Sequence, residues 1–254
     1  MYVRLLDLSE IRIIEKAQIP FGATMLFGFP DVGLVGVIAG SHLIDELRLA
    51  EVAYVDSKLL PPVIVVHEGL PHSSLRVFGN DKILLVVSEI PLAADIVYPM
   101  METLIDWGKS KKAKMMIALS GIPMQDRQDA KELKVFAAVS SSDMLKNVEN
   151  KGVEALMEGF LVGPQAILLM RCAQLGIPAV SLLSQCFLNY PDPEAAAEVL
   201  KSLDKAVGIK VDLKSLAEKG EEIRLKARDV MRRTQEEMSK TKKTQEYDIP
   251  VYVT

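Results

Sequence analysis

From its start to about residue 211 the chain alternates short β-branched runs with amphipathic segments of helix length. Strands separated by helices need crossover connections, and crossovers place helices on both faces of a sheet whose strands run largely parallel. The runs at 23–27, 51–55, 63–66, 75–78, 83–87, 113–119, 133–137 and 179–183 read as strands. Those at 34–47, 93–109, 141–150, 164–174 and 192–207 read as helices, and 154–161 suits either state. Gly79-Asn80-Asp81 between two of the strands is the turn of one antiparallel hairpin. On the helix over 93–109, Ile96, Met100, Leu104 and Trp107 share a face. Asp192 followed by Pro193 opens another helix, because aspartate caps the first turn and proline loses nothing where no N–H bond is made. The expected fold is a layered α/β core over residues 1–211, without internal repeats.

After Val211 the pattern changes. Leu213, Leu216, Gly220, Ile223, Ala227, Val230 and Thr234 recur at alternating spacings of three and four, with charges between them. A helix over 212–240 follows, and its stripe has two settings. It lies on the chain's own body, or Leu213, Leu216, Ile223 and Val230 pack between subunits of a homo-oligomer. Residues 241–254 form a tail that starts polar and ends on Val251, Tyr252, Val253 and Thr254. Apolar ends gain nothing in water unless they dock, so these four are the candidate partner-binding residues.

Charge and composition then narrow the function. A net charge of −4 argues against a nucleic-acid partner, which calls for surplus Lys and Arg. No stretch approaches the ~20 apolar residues of a membrane span, and the first residues carry no unbroken apolar segment of a secretion signal. A cytoplasmic protein without a membrane partner is expected. Cys172 and Cys186 are the only cysteines, with no CxxC pair, so neither a disulfide framework nor a metal site is expected, and no cofactor.

Three patterns invite chemistry. Gly28-Phe29-Pro30-Asp31-Val32-Gly33-Leu34-Val35-Gly36 follows a strand and opens a helix, where a phosphate-binding turn would sit. Leu34-Val35 replace the lysine and hydroxyl residue of a P-loop, and Asp31 takes the place of the first glycine of a dinucleotide fingerprint. A carboxylate there repels phosphate. Gly28, Asp31, Gly33 and Gly36 are therefore read as a structural turn, with Asp31 as the helix cap and the glycines allowing close packing. His67-Glu68-Gly69-Leu70-Pro71-His72 has its histidines five apart with Gly and Pro between, which fits a loop rather than a metal-binding helix. His42 reads as a helix-face residue. Ser88, Glu89 and Ser120 fall at strand ends, where open sheets bind ligands. Glu89, Asp95 and Asp126 are placed to join Ser120 there, but no nucleophile–base spacing distinguishes them from caps.

Taken together, Gly28-Phe-Pro-Asp-Val-Gly-Leu-Val-Gly-Val-Ile-Ala-Gly40, Gly159-Phe-Leu-Val-Gly-Pro-Gln-Ala-Ile-Leu-Leu169 and Tyr190-Pro-Asp-Pro-Glu-Ala-Ala-Ala197 resemble the proteasome assembly chaperone family, in particular its archaeal members. The resemblance runs from about residue 10 to 240. Family patterns more often have Gly where this chain has Asp31. It implies a Rossmann-like three-layer sandwich, akin to phosphorylase/hydrolase-type proteins, with a long C-terminal helix and flexible tail. It also implies a non-enzymatic homo-oligomer that binds the proteasome core particle as assembly chaperone or activator. Some members end in a hydrophobic–Tyr–any-residue triplet that inserts between proteasome α-subunits; Val251-Tyr252-Val253 holds that triplet, with Thr254 after it. Similar sequences are also labelled ATP-dependent ligases, a reading that ranks second because the 28–36 turn lacks a phosphate-binding lysine. A scaffold for some other protein, independent of the proteasome, is the third.

Overall fold

A computed structural model describes residues 11–241. The strands are β1 (Ile11–Glu15), β2 (Thr24–Gly28), β3 (Ala50–Ser57), β4 (Ile64–His67), β5 (Leu70–Ser73), β6 (Leu75–Gly79), β7 (Ile83–Ser88), β8 (Met115–Pro123), β9 (Val135–Val139), β10 (Glu154–Ala155) and β11 (Ala179–Cys186). The helices are α1 (Val35–Glu46), α2 (Ala94–Ser110), α3 (Ser142–Asn150), α4 (Pro164–Leu175), α5 (Pro193–Val207), α6 (Lys214–Glu218) and α7 (Gly220–Thr241).

A nine-stranded sheet runs in the order β1-β3-β6-β7-β2-β8-β11-β9-β10, and β4 and β5 form a separate two-stranded sheet. The centre of the sheet, β7-β2-β8-β11, is parallel. Its flanks are not: β1-β3, β3-β6, β6-β7 and β9-β11 are all antiparallel. The sheet is thus mixed, where the alternation alone implied one mainly parallel and a single hairpin. Central strands are covered on both faces and read as unbroken apolar runs; β7 (ILLVVS) is buried at every position.

Two apolar clusters make the three layers. α1, α3 and α5 cover one face through Ile38, Leu43, Val148, Val199 and Leu203. α2 and α4 cover the other through Met100, Leu104, Leu168 and Cys172. Burial pushes the Cys172 thiol up to about 12, so it serves as a packing group rather than a nucleophile. Both cysteines are buried.

Within one chain the C-terminal stripe packs on the body. Leu216 and Met231 are fully covered, and Leu213, Ile223, Ala227 and Val230 pack against the α1/α5 cluster. His42, buried on α1, donates from Nε2 to the Asp212 carbonyl at 2.6 Å and ties the approach of α6 to the core. Removing residues 212–254 uncovers this face. With a few side chains each contributing about 1.5–3 kcal/mol of burial, the melting temperature is expected to fall by roughly 10 °C. Calorimetry of the shortened chain checks this; an unchanged midpoint would mean the helices add nothing to the fold.

Candidate functional site

The C-terminal ends of β2, β8 and β11 meet under the glycine-rich turn. Gly33 and Leu34 both have positive φ, 62° and 51°, so the backbone doubles back sharply before α1 begins at Val35. A side chain at Gly33 would meet Cys186 Sγ at 2.9 Å, and one at Gly28 would meet the Gly36 carbonyl oxygen at 2.5 Å. One at Gly36 would meet the Leu119 carbonyl oxygen at 2.3 Å. The glycines hold backbone against backbone.

Asp31 does not cap the helix as the local sequence suggests; its side chain makes no cap hydrogen bond. It is buried, and its Oδ2 accepts from Ser120 Oγ at 2.5 Å and from Gln165 Nε2 at 3.1 Å. A carboxylate 6% exposed needs such donors more than a helix end needs a cap. Ser120 thus pairs with Asp31 and not with Glu89, Asp95 or Asp126. The space between Phe27, Asp31, Ser120, Gln165 and Leu168 is a cavity of about 10 Å³, room for at most one water.

Beside it lies a group with no signal in the sequence beyond Asp192. Arg127 donates from Nε and Nη2 to the two oxygens of Asp192 at 2.7 and 2.9 Å, and from Nη2 to Glu194 at 2.7 Å. Burial works against the Arg127 charge, but these bonds outweigh it and raise its pKa above the usual guanidinium value. Asp192 also accepts from the backbone N–H groups of Ala195 and Phe187, both at 3.1 Å, so it does cap α5 as expected. The Arg127 guanidinium lies 4.8 Å over the Phe187 ring, and the Asp192 N–H donates to the Gly33 carbonyl at 2.8 Å. One ion pair fastens three strand-end connections together.

The larger feature is a groove of about 880 Å³ between β4 and α7, floored by α1 and the end of β7. The histidine segment at its rim is not a loop: His67 ends β4, His72 lies in β5, and Glu68-Gly69 makes the turn between them. Arg76 donates to His67 Nε2 at 2.9 Å and also pairs with Glu89 and, at 3.4 Å, with Glu51. His72 Nδ1 lies 3.2 Å from Glu51. Burial tends to raise the Glu51 pKa, yet Lys16, His72 and Arg76 lower it on balance. These pairings satisfy the charges at the hairpin base, and among the described residues no group of His, Cys, Asp or Glu is placed to hold a metal ion. Ile64, Val66 and Leu70 stand more than half exposed on the hairpin. No helix among the described residues is long and apolar enough to cross a membrane. Val251, Tyr252, Val253 and Thr254 lie outside the described residues.

The sequence pattern of the PAC2 family matches residues 25–231, from β2 to the middle of α7. The chain belongs to the PAC2 family. An uncharacterised protein of Methanocaldococcus jannaschii is 27% identical over 246 residues, covering 96% of this chain and 99% of that one. Among solved structures, PbaA of Pyrococcus furiosus, described as an archaeal homolog of proteasome-assembly chaperone, is 29% identical. Its TM-score is 0.83, over 89% of this chain and 98% of that one. PbaB of the same organism, described as an archaeal proteasome activator, shares the fold at 21% identity and a TM-score of 0.74, over 87% and 98%. The PAC2 assignment bears out the resemblance carried by the 28–40, 159–169 and 190–197 segments, and the PAC2 fold is the three-layer α/β arrangement expected of it.

Proposed function

We propose that the chain is a non-enzymatic, cytoplasmic protein-binding factor that acts as a homo-oligomer on the proteasome core particle, in assembly or activation. The observation that carries this reading is the likeness to PbaA over 89% of this chain, at 29% identity and a TM-score of 0.83, within a PAC2 match over residues 25–231. The strand-end chemistry is consistent with it. The Asp31–Ser120–Gln165 cluster encloses a cavity of about 10 Å³, too small for a nucleotide, and the glycine turn carries no phosphate-binding lysine. That favours a binding protein over a ligase.

In this reading the tail residues Val251, Tyr252, Val253 and Thr254 contact the core particle, with Tyr252 supplying buried aromatic area. Several tails on one oligomer add avidity where their spacing matches the partner's pockets. The stripe Leu213, Leu216, Ile223 and Val230 supports assembly indirectly, by holding α6 and α7 in place.

The test is association with purified archaeal core particles, followed by analytical ultracentrifugation. Co-sedimentation of the wild type is expected, with binding weakened about tenfold or more in Tyr252→Ala, as loss of an aromatic anchor commonly produces. A variant that ends at Val253 has Tyr252 in the penultimate position; tighter association of that variant would mark the tail with Thr254 as a poor activator and favour the scaffold reading. Absence of co-sedimentation at any concentration would favour a scaffold for another protein; unchanged binding in both variants would remove the tail as the contact. Light scattering of the wild type reports the oligomer, and a monomer mass would remove that part of the reading.

A further inference from the structure

We propose that the free edge of β4 is a strand-addition site, taking an extended apolar segment of a partner protein that carries acidic residues toward α7. The case begins with the hairpin. Glu68 and Gly69, at φ 51° and 79°, form a two-residue turn, so His67 and Leu70 are the pair that exchanges both backbone hydrogen bonds. Bonded and non-bonded pairs then alternate along the strands. Val66 opposite Pro71 and Ile64 opposite Ser73 are the non-bonded pairs, and the backbone N–H and C=O groups of Ile64 and Val66 point away from β5. Proline is tolerated at position 71 because its missing N–H would also have pointed outward.

The two edges of the hairpin therefore differ. Pro71 blunts the outer edge of β5, as proline commonly does on exposed edges. The outer edge of β4 has no such guard, and no strand among the described residues pairs with it. That edge faces the 880 Å³ groove, which residues of β4 line and those of β5 do not. Ile64 and Val66, 63% and 61% exposed on one face, offer apolar contacts beside two donors and two acceptors. An added strand uses backbone bonds for affinity and alternate side chains for selection.

The opposite wall sets the chemistry of the occupant. Ile223 and Val230 lie low on α7, and Lys219, Lys226 and Arg233 line the groove above them, seven residues apart. Lys226 and Arg233 are thus about 10 Å apart along the helix. Lys226 pairs with Glu222, while Lys219 and Arg233 make no ion pair with a described residue. With Glu222 also on it, this wall carries three cations and one carboxylate, a local excess of positive charge in a chain whose net charge is −4. Branched apolar residues alternating with Asp or Glu match both walls. The proposal rests on the chain being a protein-binding factor but not on the proteasome being the partner. Because the probe is synthetic, its failure and the failure of core-particle binding are separate results.

The experiment uses a fluorescein-labelled, end-capped heptapeptide of alternating valine and glutamate, with a valine–lysine counterpart, against the full chain. The glutamate peptide is expected to bind at least about tenfold more tightly than the lysine peptide at low salt, and to weaken as salt screens the basic row. Residue-resolved amide exchange is expected to slow at Ile64 and Val66 when the glutamate peptide is added. Val66→Pro removes an outward N–H and the exposed valine side chain and should abolish binding with the thermal midpoint near wild type; Lys226→Glu, an exposed change, covers the case in which the proline variant misfolds and should shrink the preference for the glutamate peptide. Equal binding of both peptides, no binding, or unchanged exchange at Ile64 and Val66 would overturn the proposal. So would slow exchange of these amides in the free chain, which at every concentration means that the chain's own segment fills the edge, and only at high concentration means that a second copy does.

Discussion

Replacing Gly36 with alanine is expected to destabilise the protein by about 4 kcal/mol or more, near the upper end for a single substitution. The new methyl carbon would stand 2.3 Å from the Leu119 carbonyl oxygen and 3.1 Å from that of Phe29. Both contacts are backbone, one on β8 and one on the strand-end turn, so no side chain can swing aside to relieve them. α1 would have to move off the sheet, and it carries Ile38, Ala39 and Leu43 into the core. Gly40, one turn further along the same helix, is the internal control: its added carbon would meet side chains and no backbone, Val87 at 3.1 Å and Leu85 at 3.9 Å. There the gain in helix propensity of up to about 1 kcal/mol offsets a small adjustment. Urea denaturation of the two variants measures the contrast. A Gly36→Ala midpoint equal to that of Gly40→Ala would mean that the helix–sheet contact is loose and that the glycines serve something other than packing.

The same contrast shows what a local pattern carries. Gly28, Gly33 and Gly36 could be read as a packing turn because the residues a phosphate site needs are missing next to them. Asp31 could not be read correctly, since its partners Ser120 and Gln165 are 89 and 134 positions away in sequence. As a local cap it looked adequate; burial at the sheet's end changed its role. The central strands were legible because burial on both faces leaves unbroken apolar runs. Strand direction was not, because the pattern of a strand does not say which way its neighbour runs, and so β9 against β11 emerged only from the topology. β1 leaves little trace in the sequence because it is an edge strand, with Arg12 exposed between apolar neighbours. Pro71 and His72 hid β5 for a similar reason: proline counts against a strand until the strand proves to be an edge. The groove was invisible in the same way. Its two walls are more than 140 residues apart, and neither implies the other.

Arg127 is the second position at which a large effect is expected. Arg127→Ala leaves Asp192, 0% exposed, without its guanidinium partner, and removal of one member of a buried pair typically costs about 3–5 kcal/mol. Asp192 keeps the N–H groups of Phe187 and Ala195, which places the expectation toward the lower end of that range. Asp192→Ala loses the pair, the α5 cap and the ordering of 187–192 together, so it should cost at least as much. Glu194 also touches Arg127, but its side chain is 63% exposed, and Glu194→Gln should cost no more than about 1 kcal/mol. The double change Arg127→Met with Asp192→Asn removes both charges and should be less damaging than the sum of its parts, because neither partner is left buried and ionised. Amide exchange adds a local readout: Arg127→Ala should speed exchange at Phe187 and Asp192, whose N–H groups bond Asp192 and the Gly33 carbonyl respectively, more than in the α2 face of the core. If Arg127→Ala costs under about 1 kcal/mol and exchange near Gly33 is unchanged, the ion pair is dispensable, and the strand-end connections are held by apolar packing alone.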